Sequence, residues 1–220
     1  MVDYATEEEQ IEALKRWWRE NGRSIVIGVV LGLLALGGWR GWEWYTEQQS
    51  LQAASVYTQL VDRLEAGERE SLKGLAERLR DEFPNTAYAP LGALAAARMA
   101  VGAGDFEAAA EWLRWATDNA DADDLGSIAR LRLARIESER ERLDAALELL
   151  NQDHPEAFGG LYNEVRGDVL AQRGDRSAAV DAYKAALDAA VPPPNTGAVE
   201  RKLNRLQQPA ADAGEGEENS

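Results

Sequence analysis

The sequence predicts an all-α protein: a single N-terminal transmembrane helix followed by a superhelix of helical hairpins. Three observations predict it. Ser24 to Trp39 (SIVIGVVLGLLALGGW) is the one uncharged apolar run in the 220 residues. Beyond it, alternating runs rich in Val, Ile and Thr are absent, and alanine-rich helical periodicity continues to about residue 207. Turn dipeptides then recur at fixed spacing: Gly67-Glu68, Gly104-Asp105, Glu141-Arg142 and Gly174-Asp175 follow one another at 37, 37 and 33 residues.

The apolar run comes first in the chain. As a helix its sixteen residues rise about 24 Å, short of the roughly 30 Å hydrocarbon core. Extending it through WRGWEWY to Tyr45 gives 22 residues and about 33 Å, enough to span. Arg40 and Glu43 then fall at the helix end, where long side chains reach the headgroups. Trp17 and Trp18 precede the run and Trp39, Trp42 and Trp44 close it, the positions of an interfacial aromatic belt. The competing reading of such a run is a buried core helix.

Lys15, Arg16, Arg19 and Arg23 precede residues 24–45, whereas Arg40 is the only basic residue between the run and Arg63. The positive-inside rule therefore keeps residues 1–23 in the cytoplasm and places the rest across the membrane. A cleaved signal peptide is the rival. Gly37, Gly38, Trp39 and Arg40 supply no small-x-small cleavage site after Leu36, and no cysteine is available for a lipid, so an uncleaved anchor is expected.

Residues 1–23 contain TEEEQIEALKRWWRENG. Thr6 and Glu9 match a capping box, and Ile11, Leu14 and Trp18 form an apolar stripe. Asn21 and Gly22 then signal a stop or a bend. Such a segment either touches the membrane surface or a partner, or only sets topology. Within the span Ser24, Gly28 and Gly32 recur every four residues, a small-residue face on which another transmembrane helix could pack.

Residues 46–207 form the repeat domain. The fourth unit is the clearest, with Gly167, Leu170, Gly174-Asp175, Ala179, Tyr183 and Ala186 before Pro192-Pro193-Pro194. The second has Ala97, Ala100, Gly104-Asp105, Ala109, Leu113 and Ala116, and the third Ala134, Ala146 and Leu150, without a turn glycine. The first is degenerate except for its turn and Phe83-Pro84. Small residues let the two helices of a hairpin approach, and Leu113, Leu150 and Tyr183 fill the space to the next. This pattern resembles the tetratricopeptide repeat, which implies four hairpins over residues 50–194 in a right-handed superhelix. TGAVERKLNRLQ at 196–207 would close it, hiding the last apolar face. Residues 208–220, acidic and without a large apolar side chain, are expected to be disordered.

Chemistry is harder to find. With no cysteine, disulfides and thiolate chemistry are excluded. The single histidine, His154, precedes a proline and reads as an exposed loop residue. Asp118, Asp121, Asp123 and Asp124 suggest a calcium loop, but Leu125 and Arg132 stand where ligands are needed. No catalytic residue, metal ligand or cofactor site is assigned, and the chain is read as a non-enzyme. The net charge of −15 argues against nucleic acid as a partner.

Binding remains. The first helix of each hairpin would line a concave face with Tyr57, Val61 and Leu64; Leu91, Leu94 and Arg98; Ile128, Leu131 and Arg135; and Glu164, Asp168 and Gln172. Mixed apolar and charged positions suit a peptide segment.

Several strings together, QIEALKRWWRENGRS, the span ending GGWRGW, LRLARIE at Leu131–Glu137 and VRGDVLAQRGD at Val165–Asp175, resemble the YfgM-like family of ancillary subunits of the bacterial SecYEG translocon. The resemblance implies a single-pass inner-membrane protein with a periplasmic repeat domain. Its implied partners are Sec translocon subunits, a membrane-anchored periplasmic chaperone of the PpiD type and exported polypeptides. The alternative is a tetratricopeptide scaffold for another cell-envelope assembly machine.

Overall fold

The computed structural model describes residues 7–120 and 123–208. Among them the regular structure is helical throughout: α1 Glu7–Glu65, α2 Arg69–Glu82, α3 Tyr88–Gly102, α4 Phe106–Asn119, α5 Asp123–Glu139, α6 Leu143–Leu150, α7 Gly159–Arg173, α8 Arg176–Leu187 and α9 Thr196–Gln207. A short 3₁₀ turn, Glu156–Phe158, leads into α7. The chain divides into two compact units, Met1–Leu51 and Gln52–Ser220, and α1 contributes to both.

In the first unit the apolar run is helical and unburied. Val26, Leu31, Leu34 and Leu36 are exposed, and Trp39 is 72% exposed. A core helix would be covered, so that alternative is ruled out. α1 carries one segment long and apolar enough to cross a membrane. Asn21-Gly22, read as a stop or a bend, does not end the helix. Asn21 donates from Nδ2 to the Trp17 carbonyl at 3.0 Å, adding a bond within the helix it was expected to end, and the Trp18 indole lies over Gly22. Thr6 of the capping box, Asp121 of the acidic stretch and residues 209–220 of the tail lie outside the described residues.

The second unit is a run of hairpins. The end of α1 pairs with α2 in a core that includes Ala53, Val56, Leu60, Leu72, Ala76 and Leu79. α3 pairs with α4, α5 with α6 and α7 with α8, while each second helix also packs on the next first helix. Ala97, Ala109, Ala146 and Ala179 are buried, as are Leu113, Leu150 and Tyr183; the last was expected between hairpins but its ring lies against α7 of its own hairpin. Gly167 has a specific reason to lack a side chain: a Cβ there would lie 2.5 Å from Cε1 of Tyr183.

All four repeat turns share one geometry. The first member of each dipeptide is left-handed, with φ of 73° at Gly67, 77° at Gly104, 60° at Glu141 and 91° at Gly174. The amide of the second member reaches back across the turn, from Glu68 to Arg63 O, Asp105 to Ala100 O, Arg142 to Glu137 O and Asp175 to Leu170 O, at 2.8–3.0 Å. This is the Schellman closure of a helix C-terminus. Glu141 adopts it without glycine, at a cost of about 1 kcal/mol or more. Its neighbourhood is tied by charge: Glu137 is 3% exposed and meets Arg114 at 3.0 Å and Arg140 at 3.2 Å, while Arg140 also pairs with Glu107 of α4.

His154 also departs from expectation. It is half-buried, with its ring centroid 4.1 Å from that of Tyr162, whose hydroxyl donates to the Ser127 carbonyl at 3.0 Å. At the far end α9 packs on α8, with Val199 buried against Tyr183 and its neighbours. Asn195 caps it, its side-chain oxygen accepting from the Ala198 amide at 3.1 Å.

Candidate functional site

The first helices of the four hairpins, α1 (its end), α3, α5 and α7, carry all twelve residues expected on the binding face. In the first hairpin Tyr57, Val61 and Leu64 are half-buried, and the Tyr57 ring lies 5.6 Å from that of Tyr88 at the start of α3. In α3 Leu91 is half-buried, Leu94 is 8% exposed and Arg98 is exposed. In α5 Ile128 is half-buried and Arg135 exposed. Leu131, like Leu94, is a core residue: it is 6% exposed and packs in the cluster with Ala134, Ala146 and Leu150, because its turn of α5 faces the third hairpin's interior.

The α7 residues are already occupied within the chain. Lys202 of α9 donates from Nζ to Glu164 Oε1 at 3.0 Å and Asp168 Oδ2 at 2.9 Å. The Tyr183 hydroxyl donates to Asp168 Oδ1 at 2.7 Å. Gln172 bonds Ser138 at the end of α5 twice, accepting from its hydroxyl at 2.6 Å and donating to its carbonyl at 3.2 Å. Burial works to lower the Lys202 pKa, but the hydrogen bonds to Asp168 and Glu164 outweigh it and hold the ammonium above its usual range. Burial pushes the Tyr183 phenol well up, and the Asp168 acceptor adds to the rise.

What the structure brings together is a smaller site in the middle. Leu94, Arg98 and Arg135 border one cavity of about 400 Å³ between α3, α4 and α5. Ala97, Leu113 and Ile136 complete its apolar floor, and Val101 and Arg132 stand at its edge. That volume lies within the range of ligand clefts, about 300–1,000 Å³. Arg132 was missed because it sits one residue from the face chosen for α5; its spacing of three from Arg135 was the available signal. Lys202 was missed because its partners are 34 and 38 residues away, beyond any local pattern. The Ser24, Gly28 and Gly32 backbone is helical, and a Cβ at Gly28 or Gly32 would meet nothing within 4 Å.

The tetratricopeptide repeat-like domain family matches residues 15–208. A protein of Escherichia coli (strain K12) called ancillary SecYEG translocon subunit is 32% identical over 206 residues, covering 94% of this chain and 99% of that protein. The chain belongs to this family. The Haemophilus influenzae protein of the same name is 34% identical over 184 residues, covering 83% and 90%. Its counterpart in Aggregatibacter actinomycetemcomitans is 31% identical over 208 residues, covering 93% and 97%. No solved structure matches the chain significantly. Membership extends to both units, since the matched region takes in the apolar segment of α1 as well as the hairpins.

Proposed function

We propose that this chain is a membrane-tethered interaction subunit of the Sec translocon that helps newly exported proteins in the periplasm. The observation that carries the reading is similarity over nearly the full length to relatives named ancillary SecYEG translocon subunits. The anchor is the segment at 24–45, with residues 1–23 cytoplasmic, as the cluster Lys15, Arg16, Arg19 and Arg23 favours. The repeat domain then faces the periplasm and acts by binding rather than catalysis. Ser24, Gly28 and Gly32 form the contact with a translocon helix. The face carrying Tyr57, Val61, Leu91, Arg98, Ile128 and Arg135 receives a chaperone of the PpiD type or an exported polypeptide.

Photo-crosslinking in living cells tests this, with probes at Gly32 and at the exposed Arg135. Sec subunits captured from Gly32, and a chaperone or exported chains from Arg135, are the expected result. Crosslinks to a different envelope complex with no Sec subunit would overturn it.

A further inference from the structure

The middle cavity has a chemistry of its own. Its floor is apolar: Leu94 and Ile136 are nearly covered, while Val101 at the rim remains 40% exposed. Three guanidinium groups, of Arg98, Arg132 and Arg135, border it. None of the three makes an ion pair or hydrogen bond among the described residues, in a region where Arg63, Arg78, Arg80, Arg114, Arg140, Arg142 and Arg173 all pair with carboxylates. Residues 46–220 carry 32 acidic side chains against 19 basic ones, yet no carboxylate among the described residues pairs with these three arginines.

Arginine in this state is a receptor for carboxylates, since its planar fork donates two hydrogen bonds to one carboxylate at a time. The apolar floor asks for more than a carboxylate. Resting on the protein-binding reading above, we infer that the slot between α3 and α5 takes a partner peptide segment in which Asp or Glu residues flank a bulky apolar side chain. The apolar side chain enters over Leu94, Val101 and Ile136, and the flanking carboxylates meet Arg98, Arg132 and Arg135. The chain's own tail, AADAGEGEENS, matches the charge but has no apolar side chain larger than alanine, which makes it the poorer occupant.

The test uses the full chain in nanodiscs of neutral phosphatidylcholine and the labelled peptide Gly-Asp-Glu-Leu-Phe-Asp-Glu-Gly, read by fluorescence anisotropy. The peptide is expected to bind, and to weaken about tenfold or more with R98A/R132A/R135A or when its Leu-Phe is replaced by Ser-Ser. In R98E/R132E/R135E the preference should pass to Gly-Lys-Lys-Leu-Phe-Lys-Lys-Gly, an outcome that a misfolded variant cannot produce. Unchanged affinity in the arginine variants, or no binding by the unaltered chain, overturns the inference. Binding that emerges only after residues 209–220 are removed also overturns it, in favour of the tail as occupant. The assay contains no translocon, so this inference and the Sec reading fail separately: loss of Sec crosslinks from Gly32 leaves peptide binding unaffected, and the reverse.

Discussion

Gly167 of α7 and Tyr183 of α8 fit as a pair, the ring lying where the glycine's missing methyl would be, with 2.5 Å to Cε1. Two effects of G167A oppose each other. Alanine in a helix interior is worth about 1 kcal/mol over glycine, whereas overpacking typically costs about 1–3 kcal/mol. The contact is with a ring that Asp168 holds through its hydroxyl, so the steric term should win. A net loss of up to about 2 kcal/mol in urea unfolding is expected, and a gain would mean that the ring yields.

Glu141 gives the opposite sign. Its left-handed φ of 60° is strained for a side chain with a Cβ, and it forms no ion pair among the described residues. E141G should stabilise the repeat domain by about 0.5–1 kcal/mol, seen as a higher urea midpoint with an unchanged slope.

Glu137 should be far less replaceable. Changing it to Gln leaves Arg140, itself buried, without its main partner and loosens Arg114 and Arg142. A loss of about 2–4 kcal/mol is expected for E137Q, the lower part of the range reflecting that Arg114 and Arg142 can rehydrate. Calorimetry of the full chain in detergent would measure it.

How far the sequence reveals this fold depends on range. Features set by neighbouring residues were legible: the left-handed turns at Gly67, Gly104 and Gly174, the closing helix at 196–207, and the alanines at the hairpin crossings all follow from local patterns. Glu141 was legible as a turn only through its spacing, because the position carries no glycine to mark the left-handed backbone. Asn21-Gly22 misled because a local stop signal cannot register a helix that continues on both sides. The face proposed for binding can be followed helix by helix but not residue by residue. Leu131 turns into the core and Arg132 out of it, a rotation of one position that repeat alignment does not resolve, and the Lys202 bond to Asp168 spans three helices.

Alkaline pH should weaken the repeat domain. The folded state holds the Tyr183 phenol proton well above its ordinary pKa of 10.0, chiefly because the ring is buried, and Tyr162 is raised for the same first reason. Between the unfolded and folded values the unfolded chain has lost a proton that the native chain keeps, so stability falls as pH rises. Lys202 has the same sign, since its folded value is also raised. These contributions are complete below about pH 10 and are lost above it. Urea midpoints should therefore decline from about pH 10 upward, and Y183F should make that decline shallower. A pH-independent midpoint across that window would contradict it.

Bulky residues in the span separate folding from association. A Cβ at Gly28 or Gly32 meets no neighbour, so G28L/G32L should leave the hairpins intact by circular dichroism while reducing co-purification with Sec subunits. Undiminished co-purification would move that contact to another face.

The pairing of Lys202 with Glu164 and Asp168 has a consequence for how molecules meet one another. A stack of similar hairpins ends in a face shaped to accept the next hairpin, and a neighbouring molecule could supply it, head to tail, in an open filament. α9 occupies that position on α8, and its lysine engages two carboxylates of α7. The array is therefore closed at its C-terminal end, where α9 covers the face on which a further hairpin, its own or a neighbour's, would stack.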